Sequence, residues 1–371
     1  MMRKTFLLAA LSALVLGFSA AGFAQSPYYV LTNDVNTANS ASVFNLNTTN
    51  GKLSLVITLA TGGEALQGGY YAGATQAISP GAACIFVADG GSNDIAAFSK
   101  AKGYAKVGNY ADVMLMGASN MPMLENSAGT LLYATYEYTS NLAVWTINPD
   151  CSLTIANVYA TQPFLGSMAI THDGSTLLAT YEIFPKVGSF AISGSTLTDN
   201  GTVSAIADLS GIAVTNDGKG VVMGTAYNVN HPSTVVTANL PGFTNQTAWI
   251  LGPGYSAGSI ALTQAAAAGN GCLYIGNTGG GSAGQAGVTG VKFTEVPFSL
   301  TYVNNVTSAL PTYIGTIATI IDQGNGAGIY AAETAGYIGV YSASSNCAVK
   351  LVQESPDPNS AFVLSLTPWV Q

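Results

Sequence analysis

The chain has 371 residues, 48% of them hydrophobic and only 8% charged, with 43 glycines. Acids outnumber bases 18 to 10, a net charge of −8, which argues against a nucleic-acid partner, since such binding rests on Lys and Arg neutralising phosphates. So few charges also leave nothing to solvate long helices, whereas small and β-branched residues punctuated by Gly suit many short strands.

The first segment, MMRKTFLLAALSALVLGFSAAGFAQS, sets Arg3 and Lys4 before an apolar run and then small residues. That order predicts a secretory signal peptide over residues 1–24. Its apolar run is shorter than the roughly 20 residues a membrane span requires. No later run is long enough either. The expected product is residues 25–371, secreted or periplasmic, with no membrane span. Arg3 is the only arginine, so this product carries 8 lysines against 18 acids, a charge of −10. Without arginine forks, a phosphorylated substrate is disfavoured, and a neutral or cationic partner is easier to accommodate.

Next come YYVLTND, SASVFNLN and LSLVITL (28–59), three strand-like segments. From there an apolar strand and turn recur as TQAISPG (75–81), PMLENSAG (122–129), SMAITHDG (167–174), SGIAVTNDG (210–218), GSIALTQAAAAGNG (258–271) and IATIIDQGNG (317–326). Each is followed by a second apolar strand (CIFVADG, LLYATYE, LLATYE, GVVMGTAY, CLYIGNTG, GIYAAET) and by third and fourth strands, with turn residues at the joints. Ile78, Leu124, Ile170, Val214, Leu262 and Ile320 occupy one register, at spacings of 46, 46, 44, 48 and 58. The glycine-rich NTGGGSAGQAGVTG stretch lengthens the last step. A period near 45 with four strands per unit is the mark of propeller blades. AFVLSL (361–366) is left as an orphan first strand, and pairing it beside the N-terminal three would complete a further blade and cover exposed edges. The expected fold is all-β, one domain, a seven-bladed β-propeller of four-stranded blades, its ring closed by the C-terminal strand pairing with the N-terminal blade 1.

With these phrases in view, the chain resembles the lactonase-like seven-bladed propellers, which include YVTN-repeat surface proteins and the 6-phosphogluconolactonase and carboxymuconate cyclase types. SVFNLNTTNGKLSLVITLATGG (42–63), AISPGAACIFVADGGSNDIAAF (77–98) and LLYATYEYTSNLAVWTINPDCSLT (131–154) carry the resemblance. It speaks to the fold more than to activity, because propellers host many functions. Lactone-processing relatives combine histidine, arginine and acids in the central funnel. A mature chain without arginine cannot reproduce that set.

Cys84 and Cys272 begin second strands of blades 2 and 6, while Cys151 and Cys347 lie in third-to-fourth-strand turns of blades 3 and 7. Both kinds of position fall on one face, one blade apart. Of three possible connectivities, this predicts Cys84–Cys151 and Cys272–Cys347, the alternative being buried free thiols. No CxxC spacing supports a zinc site, and no metal or cofactor is expected.

Second-strand ends read Asn33-Asp34, Asp89, Glu137, Glu182, Tyr227, Asn277 and Glu333 around the ring. Asp89, Glu137, Glu182, Tyr227 and Glu333 are therefore candidate ligand residues on the funnel face, joined by Tyr70 and Tyr71 from the blade 1–2 connection, where aromatic rings suit sugar stacking. The competing reading is that strand-end acids serve the loop backbone in every blade. Glu137 and Glu182, closing identical ATYE phrases, are the candidate catalytic carboxylates, and His231 in NVNHPS is the plausible imidazole base. His172, in the THDGST turn, stands where Asn216 stands one unit later and reads as a turn residue on the opposite face. Neither TGGEALQGGYYAG nor the glycines at 279–290 ends in the Gly-Lys-Ser/Thr of a phosphate loop, and no nucleophile elbow appears. These features favour a binding or interaction module for an unknown small molecule, glycan or surface protein, with no nucleic acid. The alternative is a lactone hydrolase or cycloisomerase acting on a non-phosphorylated ring.

Overall fold

The computed structural model describes residues 28–47, 52–66, 76–78, 83–112, 115, 121–225, 232–262, 270–278, 287–307, 314–322, 326–333, 336–359 and 366–370. The expected leader lies outside them. The regular structure of the described residues is almost entirely antiparallel strand, and no described helix is long and apolar enough to cross a membrane.

Four-stranded sheets form where the repeat predicts blades. Gln76–Ile78, Cys84–Asp89, Asp94–Ser99 and Ala105–Tyr110 make blade 2, and Met123–Glu125, Leu131–Tyr136, Asn141–Ile147 and Leu153–Ala160 make blade 3. Blade 4 is Leu165–Ile170, Thr176–Tyr181, Lys186–Ser193 and Thr196–Ser204; blade 7 is Ile314–Asp322, Gly326–Glu333, Tyr337–Ala343 and Val349–Pro356. Blades 5 and 6 share a seven-stranded sheet, Leu209–Val214, Gly220–Thr225, Pro232–Asn239, Thr244–Leu262, Asn270–Thr278, Gly287–Thr294 and Ser299–Thr307. The 19-residue Thr244–Leu262 strand is the last of one set and the first of the next. Register shifts around Tyr255 and Ala257 let it change partners without ending.

The N-terminal strands Tyr28–Thr32, Ser40–Leu46 and Leu53–Ala60 gain their fourth member from Leu366–Val370, with Tyr28 opposite Val370 and Thr32 opposite Leu366. This corrects the sequence reading, which set that strand at 361–366; residues 360–365 lie outside those described. Pro368 hides the true segment by interrupting its strand pattern. The strand is a sheet edge, where a missing N–H is tolerated.

Second strands explain why the repeat is so visible. Cys84–Asp89 and Gly220–Thr225 are buried along their whole length, because each is covered by a neighbouring sheet on both sides. Successive side chains of a strand point to opposite faces. Ile85 and Val87 accordingly pack with Leu31 and Val43 of blade 1, while Phe86 and Ala88 pack with Leu132 and Trp145 of blade 3. Tyr133 and Leu177 repeat this between blades 3 and 4, and Leu178 and Val221 between blades 4 and 5. The core is thus a series of sheet-on-sheet layers, and outer strands such as Thr196–Ser204 are largely exposed.

Both predicted disulfides are present, Cys84–Cys151 with Cα atoms 5.5 Å apart and Cys272–Cys347 with Cα atoms 5.3 Å apart. Cys151 and Cys347 sit in matching turns with left-handed backbone, φ 69° and 70°.

Candidate functional site

Each letter of the ATYE phrase has a structural task. Ala134 and Ala179 are buried in layers where a larger side chain would separate the sheets, and Tyr136 and Tyr181 fill the same layers. The threonines reach one blade onward: Thr135 Oγ1 donates to Leu165 O (3.3 Å) and Thr180 Oγ1 to Ser210 O (3.2 Å). Glu137 and Glu182 then emerge at the strand ends, only 3% and 4% exposed.

The two glutamates meet. Glu182 is hydrogen-bonded to Glu137, and burial, then the neighbouring Glu137 charge and that hydrogen bond, hold the Glu182 carboxyl well above the usual carboxylate range. Two like charges so close disfavour ionisation of both, so the arrangement favours a proton on the pair. The blade 3–4 connection creates this contact. Phe164, in left-handed backbone at φ 63°, donates its N–H to Glu137 O (3.3 Å) and accepts the Glu182 N–H on its own carbonyl (2.9 Å). One residue thereby fixes both acids.

Gly166 completes the arrangement. A Cβ there would lie 2.1 Å from Glu182 Cγ, so the acid occupies the space a side chain would need. Gly166→Ala is expected to displace Glu182 and lower stability by about 1–3 kcal/mol, the usual cost of overpacking. Chemical denaturation checks this, and an unchanged midpoint would mean that Glu182 moves aside freely.

An aromatic edge flanks the pair. Tyr138 packs edge-on to Phe164, with centroids 6.1 Å apart, and Phe164 lies 6.3 Å from Phe184. Tyr138 and Ile183 are 52% and 50% exposed. The pKa of the Tyr138 hydroxyl is pushed up by burial and then by the charges of Glu137 and Glu182.

Other strand-end acids serve blade junctions. Asp89 is fully buried and accepts from Asn39 Nδ2 (2.7 Å) and Thr61 Oγ1 (2.8 Å) of blade 1. Burial pushes its pKa up to about 7 against those hydrogen bonds. Asp34 accepts from Thr32 (2.8 Å) and Ser42 (3.0 Å), while Thr32 Oγ1 also donates to Asp357 (2.9 Å). Burial and the Asp357 charge raise Asp34 to about 7. Asn277 is buried against Thr289 and Asn305. Glu333 ends its strand, as expected; its side chain, and residues Tyr70, Tyr71, Tyr227 and His231, lie outside those described. Sequence reasoning missed Asp357, Phe164 and Gly166. Only the PDPN turn around Asp357, before the closing strand, offered any signal.

Among the described residues no group of three His, Cys, Asp or Glu is placed to hold a metal ion. A cavity of about 540 Å³ lies elsewhere, against the turns of blades 4 and 5 that carry His172 and Lys219.

No protein-family model and no curated protein matches the sequence. Solved structures do match in fold, and that fold is the lactonase-like β-propeller. A candidate 6-phosphogluconolactonase from Bacteroides uniformis superposes with a TM-score of 0.72 at 10% identity, covering 93% of this chain and 100% of its own. A second, from Bacteroides fragilis, gives 0.69 at 15% identity over 93% and 98%. The periplasmic gluconolactonase of Pseudomonas aeruginosa gives 0.70 at 14% identity over 93% and 99%.

Proposed function

We propose that the chain is an exported, single-domain propeller whose seven blades close through the C-terminal strand, and that its Glu137–Glu182 pair hydrolyses an uncharged sugar lactone. The observation that carries this reading is the contact of two buried carboxyls beside an aromatic edge. Such a pair offers a base and an acid in contact, and perturbed acids of this kind cluster at functional sites. The lactonases among the structural neighbours, one of them periplasmic, support the class of substrate. Two disulfides suit an oxidising compartment. The lack of arginine after Arg3 favours an uncharged ring over a phosphorylated one.

In this mechanism the Glu137 carboxylate takes a proton from water as its oxygen adds to the lactone carbonyl carbon. The Glu182 carboxyl gives its proton to the ring oxygen as the C–O bond breaks, releasing a hydroxy acid. The proton on Glu137 then passes to Glu182 across their hydrogen bond, which restores the pair.

Mature protein assayed on D-gluconolactone and on its 6-phospho form is expected to turn over the uncharged ring preferentially. Glu137→Gln and Glu182→Gln are each expected to lower kcat by about a hundredfold or more with both disulfides intact. No turnover on any uncharged lactone overturns the enzyme reading. The exposed Tyr138 and Ile183 favour a second reading, a binding module for a glycan on the same face, and saccharide binding lost in Tyr138→Ala would support it.

A further inference from the structure

Two turns on the face opposite the glutamate pair are the same bond for bond. In blade 4, THDGST (171–176), Thr171 N–H donates to Thr176 O (2.9 Å), Gly174 N–H to Thr171 O (2.8 Å) and Thr171 Oγ1 to Asp173 Oδ1 (2.6 Å). In blade 5, TNDGKG (215–220), Thr215 N–H donates to Gly220 O (2.9 Å), Gly218 N–H to Thr215 O (2.9 Å) and Thr215 Oγ1 to Asp217 Oδ1 (2.6 Å). Gly174 and Gly218 share φ of 71° and 70°. The backbone between these bonds therefore aims its N–H groups alike.

In blade 5 those N–H groups hold a carboxylate. Asn216 N–H donates to Glu295 Oε1 (2.8 Å) and Asp217 N–H to Glu295 Oε2 (2.9 Å), from a side chain only 8% exposed on the blade 6 turn. Successive backbone N–H groups are natural anion sites, and this chain uses one internally. The matching donors in blade 4 are His172 N–H and Asp173 N–H, and among the described residues nothing accepts from them. Glu295 precedes Val296-Pro297; the equivalent residue preceding Leu240-Pro241 is Asn239, which makes no such bond.

His172 and Asp173 both line a cavity. Its volume is about 540 Å³, and its lining includes His172, Asp173, Ser175, Ser189, Asn200 and Lys219, a size ordinary for a small-ligand site. The two acids there, Asp173 and Asp217, are engaged within their own turns by Ser175 and Lys219 N–H groups (3.0 and 2.9 Å). The His172 ring and the Lys219 ammonium make no hydrogen bond or ion pair with any described residue.

We propose that this cavity binds a small hydroxylated monocarboxylate. Its two oxygens take the N–H groups of His172 and Asp173 as Glu295 takes those of Asn216 and Asp217. Lys219 supplies the opposing charge, and Ser175, Ser189 and Asn200 meet hydroxyls. The site stands independently of the lactone reading.

Isothermal titration of mature protein with D-gluconate, D-glycerate and, as the uncharged control, D-glucose tests it. Both acids are expected to bind and glucose not to. Lys219→Ala should weaken the acids about tenfold or more, as loss of a charge-assisted contact does, and Asn239→Glu should abolish binding by supplying an internal carboxylate. Glu137→Gln should leave D-glycerate binding unchanged, and Lys219→Ala should leave lactone turnover unchanged, so failure at one face is told apart from failure at the other. No binding of either acid, equal binding of glucose, or full binding in both Lys219→Ala and Asn239→Glu would overturn the proposal.

Discussion

Reducing both disulfides is expected to lower the stability of the folded chain by about 4 kcal/mol per bridge. The bridges close segments of 67 and 75 residues, and constraint of the unfolded chain grows with loop length. Because 84–151 and 272–347 do not overlap, the two contributions add. They also sit where the fold most needs them. Each ties a third-to-fourth-strand turn to the preceding blade, a junction otherwise held by packed side chains and a few hydrogen bonds such as those between Asn304 and the Val349 backbone. Urea denaturation of oxidised and reduced protein, and of a Cys84→Ser, Cys151→Ser double variant, measures the effect. A loss below about 1 kcal/mol per bridge would mean that the blade junctions hold without them.

Stability is also expected to fall as the pH rises from mildly acidic to neutral, opposite to the usual behaviour of carboxylates. Asp34 and Asp89, both with folded pKa values raised to about 7 from 3.8, stay protonated in the fold while the unfolded chain has already released those protons. Between those values the folded state binds more protons than the unfolded one, so each increment of pH favours unfolding. Stability conferred by these protons is complete below about pH 4 and lost by about pH 7, roughly 4 kcal/mol for each group as an upper figure. Glu182 acts in the same direction. Asp173, lowered to about 2 by its turn hydroxyls and N–H groups, acts oppositely at lower pH, but it is exposed and contributes little. Denaturation midpoints at pH 5 and pH 8 test the sign. Asp34→Asn and Asp89→Asn should flatten the dependence, and a midpoint that rises with pH would contradict it.

Most of the strand pattern was readable because second strands such as LLYATY and CIFVAD are buried on both sides. They must stay apolar along their length, and the period of about 45 shows through at Ile78, Leu124 and Ile170. The disulfide pairing followed from the same registers. What escaped was whatever depends on contacts between distant segments or on backbone aim. Pro368 masked the C-terminal strand, whose edge position makes it tolerable. Thr32 and Asp357 lie 325 positions apart, and the PDPN turn marks a bend there without telling which strand end its acid meets. The ATYE phrases placed Glu137 and Glu182 on one face, but only the left-handed backbone at Phe164 and the missing side chain at Gly166 bring them into contact. Likewise, THDG and TNDG look alike as sequence, and their difference appears only when Glu295 reaches one and not the other.

The proposed chemistry depends on a proton shared by Glu137 and Glu182. Isotope-edited infrared spectroscopy of mature protein labelled at its glutamate carboxyls reads that proton directly. At neutral pH the wild-type protein should show one protonated glutamate carboxyl, and Glu182→Gln should lack it. A wild-type spectrum containing only ionised glutamates would contradict the shared proton and, with it, the assignment of acid and base.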